Sequence, residues 1–427
     1  MTGAGITVVA GLIVLYALFG RRTLGWNLSA PMLAMVAGLA IFALVGREAI
    51  DLAAVHLLAE VTLVLVLFHD AATVRLRDLR RDWVLPVRLL AIGFPLALVA
   101  TWGATWALLG SLGGVGALLL AAALTPTDAG LGAPTVLNPV VPVRVRRALN
   151  VESGLNDGLA TPIVLASLAA LATTPVPHDE QTFLDIGIKP LMIALVTALV
   201  VGLLLSRLLD SSEARGWSTG EGRRIVMLMA PLLLLGLSEV TGGNAFIAAF
   251  VGGLVLGGTS STIHSDPETS SLLEVIADLL SLGVWFLAGG LLLVVFEVGL
   301  RWQWVVLAVA VLTVLRMVPV AVSLLGSGFR WPTVAFIGWF GPRGLASVIF
   351  ALLTIEDLGT DHPVIPDVVG TVAVTVLLSV VAHGLSAAPL AARYGAWAKR
   401  THAPIEVEPG GTEPGRQRGR LTSGATG

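Results

Sequence analysis

Leu124-Thr125-Pro126-Thr127-Asp128-Ala129-Gly130 lies in the middle of a long apolar stretch, and how it is read decides the fold. Pro126 removes a backbone donor and clashes with the preceding helical turn. Gly130 loosens the same stretch. In hydrocarbon, the carbonyls and amides freed by such a break are tolerated only beside a cavity or another helix. Asp128 stands in that break. Unwound carbonyls and one carboxylate form a hard oxygen site that suits a small cation. The plainer alternative is a proline kink with a satisfied aspartate.

Working outward, the stretch is one of many. The chain has 427 residues, 56% hydrophobic and only 13% charged, with a mean hydropathy of +0.88. A soluble domain carries about a quarter charged residues. Apolar runs of the roughly 20 residues needed to cross a bilayer recur along nearly the whole chain. Backbone groups cannot stay open in lipid, so these runs are read as α-helices. They lack the alternation of a membrane barrel. The expected fold is therefore an all-α membrane protein. About thirteen spans are predicted, at 5–20, 29–45, 52–70, 86–109, 113–136, 147–173, 184–206, 225–241, 244–262, 271–296, 302–325, 331–355 and 367–393. Met1 to Gly20 is followed by Arg21-Arg22 without a small-residue cleavage site, and reads as a first span. Cysteine is absent, which excludes disulfides and thiol chemistry.

The basic residues give a direction. Arg47, Lys189 and Arg301 fall on one side of the predicted spans, and Arg316 and Arg343 fall inside spans. Every other one of the 26 Lys and Arg residues falls on the opposite side, including Arg21, Arg75, Arg144, Arg207, Arg224 and Arg330. By the positive-inside rule the crowded face is cytoplasmic, so the N-terminus is outside a cell (inner) membrane and the C-terminus inside. Residues 1–397 form the membrane domain, and 398–427, rich in Gly, Pro, Arg and Glu, read as a disordered cytoplasmic tail. Trp26, Trp83, Trp217, Trp302, Trp304, Trp331 and Trp397 sit near span ends, where indole prefers the headgroup level. Gly252, Gly253, Gly257 and Gly258 allow close helix approach.

Ionisable groups at membrane depth are site candidates by default. Span 6 carries Glu152-Ser153-Gly154-Leu155-Asn156-Asp157-Gly158. Glu152 stacks with Asn156 and Ser153 with Asp157, and the four cover a face of about 140°. A desolvated carboxylate at the midplane, such as Asp157, holds either a proton or a cation but not both, and that competition is the core of an exchange reaction. A polar patch that glues helices together is the alternative, and it accounts poorly for two carboxylates at that depth. Span 12 carries Gly341-Pro342-Arg343-Gly344, a second break with a positive charge in it. Spans 5 and 12 lie an odd number of spans apart and so run in opposite directions, as inverted repeats require, here about 5–173 and 225–393 with span 7 as linker. Arg343 stands where it can neutralise the dipoles of the broken helices. Buried Arg316 needs an anion. Glu152 is its expected partner, with Arg343 the other candidate to pair with Glu152. Asp70 lies at the cytoplasmic end of span 3. His56 and His383 are expected to be ordinary packed histidines, and Glu60 has no evident partner.

Thr127-Asp128, Glu152-Ser153 with Asn156-Asp157, the Gly-Pro-Arg-Gly turn, and Gly242-Gly243-Asn244-Ala245-Phe246 with the following Ala248 to Gly253 together resemble NhaP-type sodium/proton antiporters of the monovalent cation:proton antiporter superfamily. The likeness runs from span 1 to span 13. It implies a six-helix core that moves against a dimerisation domain, and a homodimer. It also implies that Asp128, Asp157, Ser153 and the backbone at Thr127 are cation ligands. Asn156 fills the place that is Asp in electrogenic relatives, which implies electroneutral exchange of H+ for Na+ or Li+, with K+ the alternative. Asp70 then lies near the access funnel. Ala129 stands where the family often has Pro, so the break relies on Pro126 and Gly130. Other classes fit worse. There is no carbonyl-rich filter repeat of a channel. There is no HExxH or HxxxH pattern of an intramembrane metalloenzyme. No cofactor and no nucleic-acid partner is implied.

Overall fold

The computed structural model describes residues 10–11, 13–20, 22, 29–46, 52–74, 84–128, 130–131, 138–172 and 188–401. The expectations for Arg21, Arg47, Arg75, Arg77, Arg80, Arg81, Trp26, Trp83, Ala129 and residues 402–427 fall outside these. Among the described residues the regular structure is entirely helical. The main helices are α1 (Ala30–Val45), α2 (Leu52–Ala72), α3 (Val84–Leu108), α4 (Gly113–Leu124), α5 (Val143–Ala172), α6 (Lys189–Ala214) and α7 (Gly220–Thr241). They continue with α8 (Ala245–Thr259), α9 (Ser271–Val298), α10 (Trp302–Leu312), α11 (Val314–Ser323), α12 (Trp331–Trp339), α13 (Leu345–Leu358) and α14 (Ile365–Thr401). Eight helical segments among the described residues are long and apolar enough to cross a membrane. The protein is a multi-pass membrane protein.

Most of these helices follow directly from apolar runs bounded by caps. Thr219 caps α7 and Asn244 caps α8, each side chain accepting a backbone amide of the first turn. Three details were not visible in the apolar pattern. In α3 the register slips into a π turn at Leu89–Gly93, just ahead of Pro95, which cannot donate to the carbonyl four residues back. Predicted span 11 is two helices: at Thr313 a tight turn, with its amide on the Ala310 carbonyl at 3.3 Å, resets the register between α10 and α11. Finally, α14 runs through Thr401, so Ala398–Thr401 are helix rather than tail. Lys399 and Arg400 in its last turn complement the negative helix end.

The helices sort into two groups by how they pack. In the first, α1 lies along α9, α2 along α8, and α6 and α7 against α8. Lipid gives no hydrophobic drive to helix pairing, so close approach has to supply it. A Cβ on Gly38 would stand 1.8 Å from the Phe286 carbonyl oxygen, so α1 and α9 touch backbone to backbone. Gly253 and Gly257 do the same for α8, with a Cβ 2.5 Å from the Phe68 oxygen and 2.1 Å from that of Ala72 on α2. In the second group α3, α4, α5 and α10 to α14 pack around one another. The groups meet where α2 and α9 touch α13, α9 touches α14, and α2 and α8 touch α5. Trp304, in the first turn of α10, faces protein and not lipid. It is fully buried, stacked on Gly370, with its indole N–H donating to Asp367 at 2.8 Å.

Candidate functional site

The two broken helices meet, and each satisfies the backbone of the other. α4 ends at Leu124, and Ser347 of α13 donates to the freed Ala123 carbonyl at 2.6 Å. The Pro126 carbonyl accepts the Arg343 guanidinium at 3.2 Å. Asp128 donates its amide to the Pro342 carbonyl at 2.8 Å. Its side chain then works in both directions. Oδ1 accepts the amides of Gly130 and Leu131 at 2.6 and 3.1 Å, and Oδ2 accepts that of Leu345, the first residue of α13, at 2.6 Å. One carboxylate thus caps the helix restart after its own break and the helix after the opposite break. Gly344 is needed beside it, because a Cβ there would lie 2.2 Å from Oδ2.

The second break is held from α14. Arg343 donates its amide to Ser379 Oγ at 2.7 Å, and that hydroxyl faces His383 Nδ1 at 3.3 Å. His383 Nε2 donates to the Trp339 carbonyl at the end of α12, at 2.9 Å. His383 is therefore more than an ordinary packed histidine. Ser379 and His383 are four apart on one helix face, which is the signal the sequence contained; their target lay on another helix.

The α5 face is buried at every predicted position: Glu152, Ser153, Asn156 and Asp157. Thr127 in the first break meets Ser153 Oγ at 2.8 Å, and its hydroxyl accepts Asn156 Nδ2 at 2.7 Å. Glu152 pairs with Arg316 through both guanidinium nitrogens, Nη1 to Oε1 and Nη2 to Oε2, the latter at 2.8 Å. Arg343 does not take Glu152. It reaches the Pro126 carbonyl and sits in the field of Arg316, Glu152 and Asp157. Gly341 leaves room for Arg316, whose Nε would lie 2.5 Å from a Cβ there.

The site also lies where the two helix groups touch. Phe250 of α8 rests on Gly158, where a Cβ would stand 2.3 Å from the ring, one residue from Asp157. Asp70 of α2 lies against Gly154, with the two separated by 3.5 Å at the Cβ positions, and His69 Nδ1 is 3.3 Å from its carboxylate. Asp70 is buried in this conformation, beside the Ser153 turn.

Two crossed broken helices, with carboxylates gathered at their crossing, are the arrangement in which membrane secondary transporters build their ion sites. The comparisons make the family definite. Residues 8–393 match the family described as sodium/hydrogen exchanger, transmembrane, and the chain belongs to it. It is 26% identical over 324 residues to a probable Na(+)/H(+) antiporter of Schizosaccharomyces pombe, covering 73% of this chain and 42% of that protein. It is 28% identical over 242 residues to the K(+)/H(+) antiporter NhaP2 of Shewanella oneidensis, covering 55% and 40%. This chain spans less than two thirds of the length of these curated relatives. In structure it resembles the sodium proton antiporter MjNhaP1 of Methanocaldococcus jannaschii at pH 8, with a TM-score of 0.70 at 22% identity, covering 91% of this chain and 98% of that one. The two share a fold.

Proposed function

We propose that the protein exchanges Na+ or Li+ for H+ across the cell membrane by alternating access. The supporting observation is the convergence of Asp157, Ser153, Asn156 and Thr127 at the crossing of the broken helices, on the boundary between two helix groups. A carboxylate out of water needs a compensating partner. A proton and a bare alkali ion each supply one, and they compete for the same oxygens. Asp157 is the carrier in this reading. Thr127 and Ser153 offer hydroxyl and carbonyl oxygens as further ligands, and Asn156 orients Thr127. Asp128 fixes the break and lends it negative charge. Glu152 and Arg316 form a structural pair, and Arg343 neutralises the helix ends.

The second helix group, carrying the site, forms the moving core, and the first group anchors a homodimer. About thirteen spans place the N-terminus outside and the C-terminus in the cytoplasm. Asp70 then faces the cytoplasmic approach. A K+-preferring exchanger is the second reading, favoured by the relative named for K(+). The test uses everted vesicles with a pH-sensitive dye. Added Na+ or Li+ collapses an imposed proton gradient, and the order among Na+, Li+ and K+ gives the selectivity. Cation flux without proton movement would refute exchange.

A further inference from the structure

Far from the arginine-rich face, a histidine joins the two helix groups. His56 lies one turn into α2. Its Nε2 is 3.3 Å from Glu60 Oε2 on the same helix, and its Nδ1 meets Glu356 Oε2 in the last turn of α13. The sequence alone gives Glu60 no partner and makes His56 look like simple packing, because Glu356 is 300 residues away. Other acidic groups bear on this corner. Asp357 stands next to Glu356, and Glu239 of α7 lies in the field of Glu60. Of the other helices packed on α2, α8 carries no ionisable residue and α5 carries none after Asp157. α9 carries Glu274 and Asp278 in its first turns, toward the opposite face, and Glu297 in its last turn.

We propose that His56 is a proton-controlled latch that closes the outer side of the transport path. The latch rests on the exchange reading and its orientation, and it is a regulation of that same site. A carboxylate oxygen accepts hydrogen bonds but does not donate when ionised. An imidazole with a carboxylate on each nitrogen therefore satisfies both only as the doubly protonated cation. Charge-assisted bonds of this kind are the strong ones. Removing one proton sets lone pair against lone pair at one of the two carboxylates. The bond to Glu356 is the one that ties α2, in the anchoring group, to α13, whose first residue is capped by Asp128. With one N–H left for two carboxylates and no charge to assist it, that tie weakens, so rising external pH frees the outer end of α13, and falling pH locks it again. Histidine is the side chain suited to such a change near neutral pH.

The chain has no cysteine, so a single introduced one reports without background. Leu63 is seven residues after His56, on the same face of α2, and fully buried. In full-length protein in right-side-out vesicles, Leu63→Cys is treated with a membrane-impermeant maleimide. Because maleimide reacts with the thiolate, each rate is divided by that of the same variant unfolded in detergent at the same pH, and this ratio is expected to rise about tenfold between about pH 6 and about pH 9. It should be high and flat in pH when His56→Gln or Glu356→Gln is added. A ratio that ignores pH, or a pH step that survives both substitutions, overturns the latch. The reporter does not depend on transport, so failure of exchange in the dye assay strikes the exchange reading alone.

Discussion

Asp128 and Asp157 are both buried aspartates of one site, but their surroundings divide the work between them. Asp128 is committed to three backbone amides. Asp157 lies on the middle of a helix, with its backbone carbonyl taken by Thr161 at 2.8 Å. Asp157→Asn keeps shape and removes the charge, so it should abolish cation-dependent proton movement while the protein still elutes as a folded species. Wild-type rates in that variant would sink the carrier assignment. Glu152→Gln has the opposite expectation. It leaves the Arg316 guanidinium buried without its anion, a loss of about 3–5 kcal/mol by comparison with other broken buried pairs. A lower midpoint of thermal unfolding in detergent checks it. A stable variant with altered ion preference would mean that Glu152 is a ligand.

At the scale of elements, the breaks were legible and their stitching was not. Pro126 and Pro342 inside apolar runs announce interrupted helices, because proline deletes a donor in a medium that supplies none. Nothing local to them shows that Ser347, Ser379 and His383 would supply the missing partners, since each acts across helices. The Glu152–Arg316 pair could be anticipated because a buried cation has few places to go, whereas the Asp128 double cap depends on the crossing geometry. Gly344→Ala tests that crossing. Its Cβ would collide with Asp128 Oδ2 and cost about 1–3 kcal/mol if the Leu345 amide is left bare, with transport falling as well. Elsewhere, Asp210 near the end of α6 accepts the amides and hydroxyls of Ser261 and Thr262 and the hydroxyl of Ser260. Burial pushes its carboxyl up, but these hydrogen bonds outweigh burial and hold it well below the usual aspartate range. A depressed carboxyl contributes stability above its unfolded pKa of about 3.9, and that stability fades as pH falls toward its folded value. Asp210→Ala should therefore cost about 1–2 kcal/mol at neutral pH. The difference from wild type should shrink in strong acid, as thermal unfolding across pH would show.

For the whole molecule the decisive quantity is the charge moved per cycle. Glu152 and Arg316 cancel inside the core. Arg343 faces a carbonyl and lies in the field of both acids. Asp128 is held by amides, and Asn156, neutral, donates to Thr127. In the exchange proposed above, Asp157 is the group that trades one H+ for one monovalent cation. On that proposal the site crosses the membrane with the same net charge in both directions, and exchange is expected to be electroneutral. In proteoliposomes, clamping the membrane potential with valinomycin and K+ should leave the initial rate of Na+-driven proton movement unchanged. A rate that tracks the imposed potential would require a second titrating carboxylate. Asp128 would be the first place to look, since releasing its three amides would alter the crossing of the broken helices at every turnover.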